Sequence, residues 1–213
     1  MERSIKNAFL EQMKGWANES EIERMWKEIE KAYAAKNRFY HTISHLDQLL
    51  TELKICLDLV PYWQEIVAAI AYHDIIYSIR RQDNEEKSAL LAVARLQAIS
   101  WPPEKIELVR QLILATKGHH AAGFDLINYF TDADLAILGK PAALYQQYAG
   151  NIRKEYRIFP DFLYRKGRKK LLQHFLEVPR IYKTAQFYQL YESQARTNLT
   201  WEIAYLDGVA ERP

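Results

Sequence analysis

The sequence contains a histidine–aspartate doublet, His73–Asp74, inside one of its most apolar runs, IVAAIAYHDIIY. A carboxylate in apolar surroundings is costly unless it is paired with another group or bound to a cation. The doublet therefore predicts either a buried hydrogen-bonded pair or part of a metal site.

Two further stretches of the chain offer ligands of the same kind. His41 and His45 are four residues apart, so on a helix they would share one face. Asp132 and Asp134 precede the apolar segment LAIL. Imidazole and carboxylate ligands suit Mn, Fe, Co, Ni, Zn or Mg, and no sulfur ligand narrows the choice. Three such segments favour a metal site over a pair without metal.

The segments that carry these residues are predicted to be helices. After His41, apolar residues recur every three or four positions, at Ile43, Leu46, Leu50, Leu53, Leu57 and Val60. This spacing predicts one helix, ended by Pro61. The next run, 62–79, is apolar almost all round, which predicts a helix that is buried on most sides.

Helix signals continue along the rest of the chain. Asp83 and Glu86 form a capping-box pattern, which opens a helix to about Ile99. The segment KGHHAAG, 117–123, contains two glycines and is predicted to be a loop. Further helices are predicted from Pro102–Pro103 onward, at about 126–138, 142–157, 161–176 and 184–206, and twice before Ala34, with a junction near 18–20. Strands are nearly absent, so we expect an all-α fold.

The chain has 213 residues, of which 49% are apolar and 26% charged, as in ordinary globular proteins. We expect a single helical domain over 1–213, with a metal-site core at about 37–140 and C-terminal helices at 142–206 packing on it. The net charge of +2 does not indicate a nucleic-acid polymer or a membrane as partner. The charged N-terminus is not a secretory signal, so cytoplasm is expected. Cys56, the single cysteine, is expected to be a buried, inert thiol.

Several ordered motifs resemble those of the HD-domain superfamily of metal-dependent phosphohydrolases, and more specifically a bacterial branch of predicted HD hydrolases. The matching stretches are RFYHTISHL, HDIIY, DNEEKSA, LATKGHH, FTDADLAILG, YAGNIRKEY and ARTNL, and they extend from about residue 37 to 200. The doublet alone is a weak signal, whereas the ordered set is more specific. The resemblance implies an all-helical bundle that binds one divalent metal ion.

The resemblance also implies a ligand set. His45 in HTISHL matches the first ligand of the family, His73 and Asp74 match the doublet, and Asp134 matches the last aspartate. In the family a further residue commonly separates that aspartate from a leucine, whereas here the leucine follows directly. With Asp134 as the ligand, Asp132 is expected to support the site, as His41 is. The departure leaves Asp132 as an alternative ligand, with Asp134 then supporting it.

The implied reaction is metal-assisted hydrolysis of a phosphate ester or anhydride, with a small phosphorylated molecule such as a nucleotide as substrate. The ion would lower the pKa of water and polarise a phosphoryl oxygen. Asp74 as ligand and Glu85 as proton carrier are the expected catalytic residues. The expected phosphate-binding residues are Lys117, His119 and Arg153, with Arg168 and Lys169 as further candidates.

Each of these residues also has an interpretation without catalysis. His41 is expected to support the site or to stack on Tyr40 rather than to bind metal. Asp132 can be the N-cap of a helix at 133–138. Glu85 can serve the first turn of its helix. The remaining alternatives are exposure of His119 and His120, hydrogen bonding of Arg153 with Glu155 and Tyr156, and a solvated face at 166–170.

Two competing functions keep the same fold. The first is a non-catalytic ligand-binding or regulatory HD module whose metal is structural. The second is a two-iron redox enzyme, which needs extra histidines between the doublet and the last aspartate. Only His119 and His120 lie there, and adjacent histidines rarely bind metal as an independent pair. The sequence therefore favours the hydrolase.

Overall fold

A computed structural model describes residues 4–54 and 62–209. Within these ranges the chain forms ten α-helices and one 3-10 helix and has no strand, which confirms the all-α fold class. The chain divides into two compact units, Met1–Thr131 and Asp132–Pro213. The single-domain arrangement stays a prediction. Cys56 and the predicted end of the helix at Pro61 lie outside the described residues.

The first unit is built around one central helix. Its helices are α1 (Ile5–Met13), α2 (Glu19–Tyr33), α3 (Ile43–Lys54), α4 (Trp63–Tyr72), α5 (Asn84–Ala98), α6 (Pro103–Ala115) and α7 (Asp125–Asp134), whose last three residues belong to the second unit. Helix α4 packs against α1, α3, α5 and α6. Residues 66–72 are fully buried, as expected for a helix that is apolar all round.

Local capping explains where α2 begins. The Asn18 side chain accepts a hydrogen bond from the main-chain N–H of Glu21 at 3.0 Å, and the Glu21 carboxylate accepts one from the N–H of Asn18 at 3.2 Å. This reciprocal capping box satisfies two N–H groups that the helix itself leaves without partners. It forms at the junction that was predicted near 18–20.

The capping box predicted from Asp83 and Glu86 is wrong, although α5 does begin at Asn84. The Asp83 carboxylate lies 2.7 Å from Lys87 Nζ, and the Glu86 carboxylate pairs with Lys117. Lysine ammonium groups within reach of both carboxylates take the place of the main-chain N–H donors that the capping box requires.

The second unit contains the 3-10 helix (Leu135–Gly139) and helices α8 (Ala142–Glu155), α9 (Asp161–Glu177) and α10 (Ala185–Leu206). Helix α10 packs against the other three. A Cβ atom at Gly139 would overlap Tyr191 of α10, so the close approach of the 3-10 helix requires glycine there. The predicted helix at 126–138 is α-helical only to Asp134, and the chain then continues as the 3-10 helix.

None of the helices in the described part of the chain is long and apolar enough to span a membrane.

Candidate metal site

Helix α3 supplies the first histidine of the candidate site. Its apolar stripe of Leu46, Leu49, Leu50 and Leu53 is buried and fixes the rotation of the helix. His45 lies next to this stripe in the first turn and is only 4% exposed. The imidazole is therefore held inside the first unit and not in solvent.

The doublet follows a helix and does not lie within one. Helix α4 ends at Tyr72, and the N–H of His73 makes its last helical hydrogen bond, to Ala69 O at 2.9 Å. The predicted helix over 62–79 is thus too long at its C-terminal end. His73 and Asp74 occupy the turn that begins where the helix stops.

Side chains from other helices end α4 by taking over its next hydrogen bonds. The N–H of Asp74 donates to the Tyr33 hydroxyl of α2 at 3.2 Å. The Ser88 hydroxyl of α5 accepts from the N–H of Ile76 at 3.1 Å and donates back to its carbonyl at 3.3 Å. Because these main-chain groups already have partners, the apolar sequence does not continue as helix.

Three potential ligand atoms converge at this turn. The Nε2 atoms of His45 and His73 are 3.2 Å apart, and Asp74 Oδ2 lies 3.3 Å from His73 Nε2. Within the described ranges, these residues form the one group of three whose ligand atoms all lie within 4.8 Å of one another. Ligands about 2.1 Å from one ion, at angles of about 90–110°, are separated by about 3.0–3.4 Å. The two distances are those expected of neighbouring ligands.

The hydrogen bond behind His73 fixes its tautomer. Its Nδ1 atom lies 3.0 Å from the main-chain oxygen of Ile70, which can only accept, so Nδ1 carries the proton. In a neutral ring, Nε2 then presents a lone pair towards His45 and Asp74. A carbonyl behind the ring is a common support for histidines that bind metal. Acceptor atoms this close to one another need a proton or a metal ion between them.

His41 lies beside the group and packs against aromatic rings. It precedes α3, so the helix face that it was expected to share with His45 does not form. Its ring stacks on Tyr77, with 4.4 Å between centroids, and meets Tyr40 edge-on at 5.0 Å. Its Nε2 atom is 3.9 Å from Asp74 Oδ2. The ring thus contacts Tyr40 as expected, but edge-on and not stacked.

Arg38 and Tyr33 are the residues of this region that the sequence analysis missed. The Arg38 guanidinium donates to the main-chain oxygens of Asp74 and Ile75, at 2.8 and 2.9 Å, and Tyr33 accepts from the N–H of Asp74. Neither residue type suggests metal chemistry. The only feature of the sequence that could have pointed to their role was the position of Arg38 at the start of the motif RFYHTISHL.

The residues expected to handle the proton and the phosphate lie at the start of α5 and in the loop after α6. Glu85 is in the first turn of α5, and its catalytic role stays a prediction. Lys117 pairs with Glu86 and donates to the main-chain oxygen of Gln82 at 2.8 Å. The hydrogen bond from Lys117 lowers the pKa of the Glu86 carboxyl group. Phosphate binding by Lys117 would therefore compete with this pair.

The predicted loop at 117–123 is confirmed. His119 has a φ of 49°, in the left-handed region, where residues other than glycine are uncommon. The Asn128 side chain accepts from the N–H of Ala122 and donates to its carbonyl, both at 2.8 Å, so α7 holds the end of the loop. His120 is exposed, as its alternative interpretation expects. A role for His119 in phosphate binding stays a prediction.

Asp132 has a structural role that differs from the expected one. It lies inside α7, so its interpretation as the N-cap of a helix at 133–138 is wrong. Its fully buried carboxylate accepts from the N–H groups of Lys183 and Thr184, at 3.0 and 2.8 Å, and from the Thr184 hydroxyl at 2.9 Å. Lys183 Nζ lies 3.1 Å from the same carboxylate. Asp132 thus holds the segment that leads into α10.

Asp134 and Arg153 both belong to the second unit. Asp134 is the last residue of α7, and its assignment as a ligand stays a prediction. Donors already contact both oxygens of Asp132. Arg153 donates to the Asp161 carboxylate at 3.1 Å and to Tyr156 O at 3.0 Å. This matches the predicted hydrogen bonding with Tyr156, and phosphate binding by Arg153 stays a prediction.

The two further basic candidates have carboxylate partners. Arg168 forms a buried pair with Glu202, with nitrogen–oxygen distances of 2.8 and 2.9 Å. Lys169 lies 2.6 Å from Asp207. These contacts join α9 to α10 and to the residue that follows it.

Comparison with known proteins does not assign this site to a family. No family model, no curated protein and no solved structure matches the chain. The resemblance to the HD superfamily therefore remains an expectation from the sequence motifs.

Proposed function

We propose that this chain is a metal-dependent phosphohydrolase that cleaves a phosphate ester or anhydride of a small molecule, with a nucleotide as the expected substrate class. The observation that carries the proposal is the convergence of His45, His73 and Asp74 at distances suited to one ion. The order of the HD-like motifs in the sequence also supports it.

The proposed ligands have chemistry that suits a divalent cation. His45 and His73 would bind as neutral imidazoles through Nε2, and Asp74 would bind through its carboxylate. This donor set accepts Mn, Mg, Co, Ni, Fe or Zn. When bound, such an ion lowers the pKa of water and polarises a phosphoryl oxygen. Asp134 is proposed as the fourth ligand.

The remaining proposed roles concern protons and phosphate charge. Glu85 would accept a proton from the attacking water or donate one to the leaving group. Lys117, His119 and Arg153 would donate hydrogen bonds to phosphate oxygens. In the structure Lys117 is bound to the Glu86 carboxylate, so a phosphate oxygen would have to displace that carboxylate.

The proposal is tested by measuring phosphate release from nucleotides and from a nitrophenyl phosphate, with Mn, Co, Ni or Mg added in turn. We expect turnover that requires metal, and we expect Asp74→Asn to reduce it by more than about 100-fold because a charged ligand is lost. Asp125→Asn is the matched control, since Asp125 is an exposed aspartate in the first turn of α7. Turnover that survives Asp74→Asn would reject the proposal.

Metal analysis of the purified protein separates the competing functions. One bound ion together with metal-dependent turnover supports the hydrolase. One bound ion without turnover of any phosphate compound indicates a module whose metal is structural. Two irons with a visible absorption band would indicate the redox enzyme.

A further inference from the structure

We infer that Arg38, together with Tyr33, is a positioning residue that fixes the main chain around Asp74 and thereby holds its carboxylate at ligand distance. The inference rests on the proposed metal site and goes beyond it, because neither residue offers a metal ligand. It concerns residues of the first unit only.

Both main-chain polar groups of Asp74 are held by these two side chains. Its carbonyl oxygen accepts from Arg38 Nη1 at 2.8 Å, and its N–H donates to the Tyr33 hydroxyl at 3.2 Å. Arg38 Nη2 also donates to the carbonyl of Ile75 at 2.9 Å. With the peptide groups on either side of its Cα atom fixed, Asp74 has few directions in which to place its carboxylate.

Arg38 also connects this turn to the chain that precedes α3. Its Nη1 atom donates to the carbonyl of His41 at 3.2 Å, so one guanidinium bridges residues 41, 74 and 75. His41 and Asp74 therefore share one anchor.

The aromatic neighbours of Arg38 explain how a buried cation is tolerated there. Arg38 is 8% exposed, and its guanidinium carbon lies 4.6 Å from the ring centroid of Tyr33 and 5.2 Å from that of Tyr77. The faces of aromatic rings attract cations. Tyr77 in turn stacks on His41, so the packing extends from α2 to the candidate site.

Lysine cannot replace Arg38 in this role. A guanidinium is a planar fork that can bind several carbonyl oxygens in fixed directions, whereas an ammonium group is a single point of charge on a flexible stem. Arg38→Lys should therefore keep the positive charge and lose the alignment. Tyr33→Phe should keep the ring under Arg38 and lose only the hydroxyl.

The test is a titration of the full chain with Co²⁺, followed by its visible spectrum, for the wild type and both variants. We expect Arg38→Lys to weaken Co²⁺ binding by about 10–100-fold and Tyr33→Phe by a smaller factor, as is typical when a partner of a ligand is lost. We also expect the Co²⁺ spectrum to change in shape, which a general loss of stability would not cause. Thermal unfolding without metal is measured in parallel.

Arg196→Lys is the matched control. Like Arg38, Arg196 donates to three main-chain oxygens, of Leu176, Val178 and Pro179, at 3.0, 2.9 and 3.2 Å, and it pairs with Glu192. These contacts lie within the second unit. We expect Arg196→Lys to lower the thermal stability without changing Co²⁺ affinity or the spectrum.

The outcomes distinguish the inference from the function on which it rests. A wild-type chain that binds no Co²⁺ overturns both. A wild-type chain that binds Co²⁺, with folded Arg38→Lys and Tyr33→Phe variants of unchanged affinity and spectrum, overturns the positioning role alone. If Arg38→Lys does not fold, Tyr33→Phe decides: a weaker affinity supports the role, and an unchanged one rejects it.

Discussion

Carboxylates of low exposure have different surroundings in the two compact units. In the second unit, Glu202 receives two nitrogens of the Arg168 guanidinium at 2.8 and 2.9 Å, and Asp132 receives main-chain N–H groups and a hydroxyl. In the first unit, Asp74 lies 3.3 Å from Nε2 of His73, the nitrogen that the tautomer leaves as an acceptor. The first arrangement surrounds a carboxylate with donors, and the second places it beside a ring nitrogen that, in the neutral ring, can only accept.

The difference supports the proposed position of the metal ion. A carboxylate surrounded by donors has its charge compensated within the protein and requires no further ligand. A carboxylate beside an imidazole lone pair requires a proton or a metal ion. The first unit also contains a carboxylate that is paired with a donor: Lys105 Nζ lies 2.7 Å from Glu65. The contrast therefore concerns the group around Asp74 and not the whole first unit.

The largest expected effect is at Glu202. Glu202→Gln leaves the buried guanidinium of Arg168 without its counter-charge and should lower the free energy of unfolding by about 3–5 kcal/mol. Urea denaturation measures this. Glu107→Gln is the control, because Glu107 also accepts from two guanidinium nitrogens, those of Arg110 at 2.7 Å, but is exposed, and the loss of this pair should cost less than about 1 kcal/mol. Equal losses at the two positions would contradict the comparison.

Asp74→Asn, unlike Glu202→Gln, should not destabilise the chain. Without metal, we expect its free energy of unfolding to equal or exceed that of the wild type, because the substitution removes a negative charge that lies 3.3 Å from the acceptor atom Nε2 of His73. With metal at 100 times its dissociation constant, the wild type should gain about 2.7 kcal/mol and the variant nothing. Urea denaturation with and without Mn²⁺ measures both effects. A large loss of stability without metal would show that Asp74 is structural.

Asp132→Asn should cost about 1–3 kcal/mol, because an amide group presents a donor where the carboxylate accepts from Thr184. Hydrogen exchange should become faster at the amides of Lys183 and Thr184, at the start of α10. Unchanged exchange at these amides would show that Asp132 does not hold this segment.

The smallest expected effect is at the exposed pair in α6. Hydrogen bonds from Arg110 and Gln111 lower the pKa of Glu107 to about 2. A depressed carboxyl pKa contributes stability above the unfolded-state value, and that stability is lost as the pH falls towards 2. Because the pair is exposed, the change should stay below about 1 kcal/mol. In an NMR titration of the carboxyl groups, Arg110→Gln should raise the pKa of Glu107 towards its ordinary value of about 4.3. A pKa near that value in the wild type would contradict the prediction.

Helices with local signals were predicted closely from the sequence. The helices expected at 142–157, 161–176 and 184–206 are observed as Ala142–Glu155, Asp161–Glu177 and Ala185–Leu206. A proline precedes two of these helices, and the capping residue Thr184 precedes the third. Each of these residues favours the start of a helix in the residues that follow it. Such signals depend on neighbours in the sequence, so they can be recognised without the fold.

The errors occurred where distant side chains compete for the same groups. Lys117, 31 residues from Glu86 in the sequence, takes the carboxylate that was expected to cap α5. Asp132 was expected to serve the helix after it, but its partners are Lys183 and Thr184, more than 50 residues away. The identity of these partners depends on how the chain folds, which a motif does not encode.

The sequence by itself determined which residues offer imidazole and carboxylate ligands, and it determined most of the helices, because residue type and a period of 3.6 residues are local properties. Only the tertiary structure decided where α4 stops and how Asp74 is held. Tyr33 and Arg38 lie 41 and 36 residues from Asp74 along the chain, and their hydrogen bonds to its main chain form only after the helices have packed.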